Sequence, residues 1–272
     1  YDRAVSDFSS ALEFDRQYAE AANNRGAAYL RLKEYEKAVP DFTVVLDSNP
    51  RDVEAYNNRG RAYSGKGDYT RAVADFTAAL RLKPDYAEAL NNRGSAFIIR
   101  EDYDRAVADL SAALNLNPAY TEAFLNRGNA YQGRQDHDRA ITDYTAALGL
   151  DPRNLDALNG RGNAYQNKGD YDKAIDDYNA AIQAVPPYIK ALNNRGIAYR
   201  NKGDYDRAIA DFTAALRLEP LYAPALNNRG NAYFYKGEYD QSIADYNAAL
   251  KINPDLSDAR YNIEQARSAR GF

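Results

Sequence analysis

The sequence repeats itself with a period of 34 residues. The phrase Asn-Arg-Gly begins at positions 24, 58, 92, 126, 194 and 228, and Gly-Arg-Gly fills the remaining place at 160–162. Prolines keep the same interval from Pro50 to Pro254. A period of this length is typical of stacked units, each too small to bury its own hydrophobic face. With these prolines at position 32, the complete repeats are 19–52, 53–86, 87–120, 121–154, 155–188, 189–222 and 223–256.

Each repeat contains two segments whose apolar residues have helical rather than alternating spacing. The first segment presents positions 4, 8 and 11 on one face, as in Tyr56, Gly60 and Tyr63. The second presents positions 20, 21, 24, 27 and 28, and the phrase Lys-Gly-Asp-Tyr joins the two segments at 66–69, 168–171 and 202–205. Glycine there can take the left-handed conformation that ends a helix, and aspartate can cap the next helix. The sequence therefore predicts an all-α chain of paired helices.

This pattern resembles the tetratricopeptide repeat (TPR). The matching features are a large or apolar residue at position 4, Gly at 8, an aromatic residue at 11, Ala at 20, an aromatic residue at 24, Ala at 27 and Pro at 32, and they recur across seven full repeats and the flanking halves. The resemblance implies a right-handed superhelical solenoid of antiparallel helix hairpins, with a concave groove lined mainly by first helices. It also implies a protein that binds other proteins or peptides.

The two ends of the chain differ from the complete repeats. Residues 1–18 match a second helix alone, and we expect the chain to start within an incomplete repeat. Residues 257–272 are expected to form a C-terminal capping helix, because Arg260 and Glu264 replace the apolar residue and the glycine of positions 4 and 8. Alternatively, the two halves complete one repeat across molecules, which would make the chain a structural module that forms a weak homo-oligomer through its ends or edges.

Position 7 departs from the family pattern, because it is Arg in every full repeat where Leu is usual. It shares the inward face of positions 4 and 11, and a charge there needs a partner. Asp recurs at position 23. If each Arg paired with the Asp of the preceding repeat, the last helix would also need an Arg at position 7, but Ile263 stands there. We therefore expect each Arg to pair within its own repeat. The alternative is that the arginines bind anionic peptides. The predicted pairs are Arg25–Asp41, Arg59–Asp75, Arg93–Asp109, Arg127–Asp143, Arg161–Asp177, Arg195–Asp211 and Arg229–Asp245.

Asparagines form a second stripe at positions 6 and 9 of the first helices. An amide both donates and accepts hydrogen bonds, so a ladder of amides can hold the main chain of an extended segment. Position 5 adds further asparagines, such as Asn57 and Asn91. The alternative is that they serve helix packing or solvation. The predicted partner-binding residues are Asn24, Asn58, Asn92, Asn126, Asn129, Asn163, Asn194, Asn228 and Asn231.

Selectivity would come from positions that vary between repeats. Position 2 is acidic from Glu20 to Asp156 and becomes Lys190 in the sixth repeat, so we expect an acidic groove towards the N-terminus. Positions 12 and 13 are polar in Arg200–Asn201 and aromatic in Phe234–Tyr235. That aromatic pair either anchors a partner or packs on the last helix.

Composition excludes several other functions. With 39 acidic and 35 basic residues the net charge is −4. The chain therefore lacks the excess of basic residues that a nucleic-acid-binding surface requires. No apolar run approaches the roughly 18 residues of a membrane span. The chain has no Cys and one His, which argues against transition-metal sites and Cys–His dyads, and we expect no enzyme activity and no cofactor. The expected partner is a protein or peptide of unknown identity, and the compartment is left open.

Overall fold

The computed structural model describes residues 1–15, 17–186 and 188–271. These residues form sixteen α-helices and no strand. The helices are α1 (Asp2–Phe14), α2 (Ala19–Arg31), α3 (Tyr35–Ser48), α4 (Val53–Gly65), α5 (Tyr69–Leu82), α6 (Ala87–Ile99), α7 (Tyr103–Leu116), α8 (Thr121–Gly133), α9 (His137–Leu150), α10 (Leu155–Asn167), α11 (Tyr171–Ala184), α12 (Ile189–Asn201), α13 (Tyr205–Leu218), α14 (Ala223–Lys236), α15 (Tyr239–Ile252) and α16 (Ser257–Arg270).

The chain divides into two compact units, Tyr1–Asp136 and His137–Phe272. Within each unit every helix packs on the next one along the chain, and the short turns between them make neighbours antiparallel. First helices also contact the first helix of the following repeat, whereas second helices in the described parts of each unit make no comparable contact with one another. The first helices therefore form an inner layer in each unit. The predicted all-α stack of helix hairpins is confirmed.

Close contact between the two helices of a hairpin depends on glycine at position 8. An added Cβ at Gly60 would lie 2.6 Å from Cε1 of Phe76, which is closer than real Cβ atoms approach. The ring of Phe76 is completely buried against this helix, as are the rings of Phe42 and Phe212 in their own repeats. Alanines on both helices fill the remaining contacts, so each layer is thin and each repeat buries a modest apolar area.

The turn inside each hairpin takes the left-handed backbone conformation predicted for its glycine. Gly67 has a φ of 79°, and Asp68 then caps the following helix by accepting a first-turn backbone N–H at 3.0 Å. Lys33, Glu101 and Gln135 occupy the same turn position in their repeats and also have positive φ, between 58° and 62°. Such values are unfavourable for side chains with a Cβ. The backbone geometry of the turn is thus kept even where glycine is missing.

Candidate functional site

The position-7 arginines form bidentate ion pairs with the aspartate at position 23 of the same repeat. In the second repeat, Arg59 Nε donates to Asp75 Oδ2 at 2.8 Å and Nη2 donates to Oδ1 at 2.9 Å. Of the seven predicted pairs, Arg127–Asp143 stays a prediction because its two residues lie in different units. The other ion pairs with this arrangement are Arg25–Asp41, Arg93–Asp109, Arg161–Asp177, Arg195–Asp211 and Arg229–Asp245.

Burial and charge act against each other in these pairs. The aspartate side chains are 3–12% exposed and the arginine side chains 19–24% exposed. The hydrogen bond to Asp75 raises the pKa of Arg59, while burial opposes it. Burial also raises the pKa of Asp177, although Arg161 lowers it in part. Each of these carboxylates has both oxygens engaged by its own arginine, so it is not offered to a ligand.

A third bond from each arginine reaches the preceding repeat. Arg59 Nη1 donates to the Thr43 hydroxyl at 3.2 Å, and Arg93 Nη1 donates to the Thr77 hydroxyl at 3.0 Å. One guanidinium thus joins two helices of its own repeat to the second helix before it. This bond is not among the predicted contacts, although the sequence carries its signal, a short polar side chain at position 25. The polar residues that accept these bonds are Ser9, Thr43, Thr77, Ser111, Thr145, Asn179 and Thr213.

The asparagines of positions 5 and 6 form hydrogen bonds between consecutive first helices. Asn92 Nδ2 donates to Asn57 Oδ1 at 3.0 Å, and Asn126 Nδ2 donates to Asn91 Oδ1 at 2.9 Å. Asn57 and Asn91 are only 1% and 4% exposed. The expectation that position 5 adds to a ligand-binding ladder is therefore wrong for these residues, because the next first helix covers them.

Position 9 changes the course of this ladder. At two of these positions the position-6 amide of the next first helix donates to the position-9 oxygen: Asn194 to Asn163 at 3.3 Å, and Asn262 to Asn231 at 3.1 Å. Both acceptor oxygens also receive a tyrosine hydroxyl at 2.7 Å. The oxygens of Asn163 and Asn231 are consequently occupied within the protein. Their side-chain N–H groups donate to no described residue and remain available as donors.

Other position-6 oxygens remain open. No described residue donates to the side-chain oxygen of Asn92, Asn126 or Asn228, although each amide nitrogen is engaged with the preceding first helix. These three side chains are half-buried. Asn58 differs, since its oxygen accepts a bond from Arg61 at 3.3 Å. The remaining predicted partner-binding residues, Asn24 and Asn129, lie on the exposed surface of α2 and α8.

In the first unit, carboxylates border the asparagine ladder. A cleft of about 480 Å³ is lined by residues that include Glu88, Asn92 and Glu122. Glu88 accepts a bond from Asn57 at 3.2 Å. Burial, with a smaller contribution from Glu88, raises the pKa of Tyr86 to about 12, so this hydroxyl stays protonated. Arg61 also lines this cleft and pairs with Glu88 at 3.6 Å, so among the described lining residues Glu122 is the carboxylate left to attract a positively charged partner.

In the second unit, an aromatic cleft of about 670 Å³ opens between α12, α14 and α16. Tyr235 is 62% exposed, stacks on Tyr205 at 6.0 Å and meets Phe234 edge to face at 5.6 Å. Tyr261 of the last helix also lines the cleft and is 65% exposed. The aromatic pair at positions 12 and 13 is therefore only partly covered by the last helix. Arg200 supplies the one formal charge among the described lining residues.

No helix in 1–15, 17–186 or 188–271 is both long enough and apolar enough to serve as a membrane span. Within the same ranges, no group of three or more His, Cys, Asp or Glu side chains is arranged to hold a metal ion.

Comparison with known proteins gives a family and a fold. A family model described as Tetratricopeptide repeat matches residues 1–53, 34–74, 57–121, 125–189 and 193–257. A search of curated proteins finds no match. Many solved structures are similar, and three of them illustrate the range.

The three structures share the fold at low sequence identity. The APC/C hetero-tetramer Cut9-Hcn1 gives a TM-score of 0.73 at 20% identity, covering 96% of this chain and 52% of that chain. A tetratricopeptide repeat protein from Parabacteroides merdae gives 0.72 at 19% identity, covering 92% and 98%. YrrB gives 0.57 at 24% identity, covering 68% and 95%. This chain thus spans about half the length of the Cut9-Hcn1 chain that it matches. Identities this low support a shared fold and nothing more specific.

Proposed function

The chain belongs to the tetratricopeptide-repeat family, and we propose that it is a non-catalytic protein-interaction scaffold. In this proposal the first helices hold an extended or helical peptide segment of a partner protein through their asparagine ladder. YrrB, one of the similar structures, is described as a repeat protein with an unusual peptide-binding site. That description applies to YrrB, and the case for this chain rests on its own side chains.

The observation that carries the proposal is the set of open acceptor oxygens on successive first helices. Asn92 and Asn126 occupy the same position in neighbouring repeats, and no described residue donates to either side-chain oxygen. A peptide main chain presents N–H groups that can donate to such oxygens. Because each amide nitrogen is already bonded to the preceding helix, the side chains are held in place before a partner arrives. Binding then costs less side-chain entropy.

The proposal is tested by selection from a phage-displayed library of random 12-residue peptides on the full chain, followed by titration of the selected peptides. The test variant carries Asn58→Ala, Asn92→Ala and Asn126→Ala together. Loss of two or three hydrogen bonds predicts at least tenfold weaker peptide binding, on the order of 1 kcal/mol per bond. Titrations are made at a temperature where circular dichroism shows the variant to be fully helical, since the unpaired oxygens of Asn57 and Asn91 will lower its stability.

A matched control replaces three exposed residues at position 29 of the second helices, Asp47, Arg81 and Asn115, with alanine. This control should bind the selected peptides as the unmodified chain does. Light scattering on all three proteins separates peptide binding from self-assembly, because loss of an oligomer in the asparagine variant would support the structural-module alternative instead. Equal peptide binding by the asparagine variant and the control would rule out the ladder as the binding element.

A further inference from the structure

The aromatic cleft contains an arginine for which the described residues supply no anion. Arg200, on α12, is half-buried, and its Nε and Nη2 donate only to the Asn201 side-chain oxygen, at 3.3 and 3.0 Å. No described residue forms an ion pair or a cation–π contact with it. Its neighbour on the same helix, Arg195, is paired with Asp211 at 2.6 Å. Arg200 therefore bears a cost of desolvation that no opposite charge offsets.

We propose that this cleft is a subsite for an acidic side chain of the bound peptide, flanked in that peptide by an aromatic or apolar residue. The inference rests on the proposed peptide-binding function and adds the chemistry of the partner. The acid would meet the remaining N–H groups of Arg200, and the apolar neighbour would lie on the exposed rings of Tyr235 and Tyr261.

Charge complementarity favours an anion over a cation at this place. No described residue that lines the cleft carries a carboxylate. The side-chain oxygen of Asn231 already accepts from the Tyr246 hydroxyl at 2.7 Å and from Asn262 at 3.1 Å. The cleft therefore offers an anionic guest the N–H groups of the guanidinium and of the Asn231 amide, beside the amides of Asn262 and Gln265 and the tyrosine hydroxyls, which can also donate. Burial lowers the pKa of Arg200, and a carboxylate brought beside it would reverse that effect.

The aromatic wall favours an apolar residue next to the acid. Tyr235 and Tyr261 leave more than half of their surfaces exposed, although both lie at the edge of a packed helix layer. Tyr205 and Phe234 support Tyr235 by stacked and edge-to-face contacts, so the ring is fixed before binding. Rigid aromatic side chains of this kind are frequent energetic centres of interfaces.

The test uses the phage-displayed 12-residue library, fused at its C-terminal end so that side chains supply the only carboxylates of the displayed peptides. Parallel selections are made on the unmodified chain, on Arg200→Gln and on Arg217→Gln. Arg217 is exposed on α13 and gives a control with the same change of charge. Peptides from the unmodified chain are expected to be enriched in Asp or Glu beside Phe, Tyr or Leu, and this enrichment should disappear only with Arg200→Gln.

Synthetic copies of the selected peptides, blocked at both ends, then measure the coupling free energy between the acidic residue of the peptide and Arg200. Changing the acidic residue to its amide should weaken binding to the unmodified chain about tenfold and leave binding to Arg200→Gln nearly unchanged, because a charge-assisted bond exists only in the first case. Equal weakening in both proteins, or selection of peptides without acidic residues, overturns the subsite while peptide binding itself stands. Failure to enrich any peptide overturns both the subsite and the proposed function.

Discussion

Arg161→Leu is expected to lower the free energy of unfolding of the second unit by about 3–5 kcal/mol at neutral pH. Arg161 donates from Nε and Nη2 to both oxygens of Asp177, at 2.9 and 2.6 Å, and from Nη1 to Thr145 at 3.1 Å. Leucine preserves apolar packing at this position but removes all three bonds. Asp177 is 5% exposed, so water cannot take the place of the guanidinium.

The two halves of this pair should behave unequally. The side chain of Arg161 is 22% exposed and that of Asp177 is 7% exposed. Asp177→Ala leaves a guanidinium that can turn partly towards water, and the expected loss is smaller, about 1–3 kcal/mol. The double variant leaves no buried charge unpaired, so it should recover most of the stability that Arg161→Leu loses.

The loss caused by Arg161→Leu should also depend on pH. Burial raises the pKa of Asp177 even beside Arg161, and removal of Arg161 takes away an effect that lowers it. A carboxyl group whose folded-state pKa lies above its unfolded value binds more protons when folded. Its contribution to stability is present below the unfolded pKa and is lost as pH rises through the folded pKa. The difference between Arg161→Leu and the unmodified chain should therefore shrink as the solution is made acidic.

Urea unfolding followed by far-ultraviolet circular dichroism measures these differences, with a nearest-neighbour analysis because repeats can unfold separately. Arg217→Leu, on the exposed face of α13, is the matched control and should change stability by no more than about 0.5 kcal/mol. Unchanged unfolding of Arg161→Leu together with lost peptide binding would refute the reasoning, since the arginine would then serve the partner and not the stack.

Two backbone predictions use the same unfolding assay. Gly60→Ala should destabilise the fold by about 1–2 kcal/mol because the new Cβ meets Phe76 at 2.6 Å. Gly149→Ala, in open space on α9, should stabilise the fold by about 0.5–1 kcal/mol through helix propensity. Equal effects of the two substitutions would contradict the close approach at Gly60. Glu101→Gly should stabilise by about 0.5–1 kcal/mol because it relieves a φ of 58°, and Gly203→Ala, at a φ of 86°, should lose a similar amount; a destabilised Glu101→Gly would show that the turn is not strained.

The features that the sequence predicts well are those that recur in every repeat. Helical spacing, the glycine that ends the first helix and the small residues between helices act locally or within one hairpin, so each can be recognised from the spacing of a few residues. Even the turn at Glu101 follows the pattern of its neighbours, because the packing of two helices determines the backbone path whatever residue occupies it. Tertiary context here overrides local preference.

The role of the asparagines could not be predicted in the same way. Asn57 and Asn58 are adjacent in sequence and about 100° apart around their helix, a small difference on a surface that another helix partly covers. The next first helix decides that Asn57 is buried and that Asn58 remains partly open. Which oxygen accepts the ladder bond depends further on position 9 of the preceding repeat, as with Asn163 and Asn194. These choices depend on contacts between repeats, which spacing within one repeat does not contain.

Two arginines of one helix show why regular and irregular positions have different roles. Arg195 is the sixth-repeat member of the position-7 arginines, which recur because the stack provides each with a carboxylate. For Arg195 the carboxylate is Asp211, and Asn179 of the preceding second helix adds a polar contact. Arg occurs at position 12 in the sixth repeat alone, as Arg200, and no described residue provides it with an anion. A charge that the fold neutralises adds rigidity and is closed to a partner, whereas a half-buried charge that the fold leaves unneutralised gains most from a partner that completes it. In a chain of near-identical repeats, specificity must therefore reside where the period is broken, and the side chains around Arg200 are such a place.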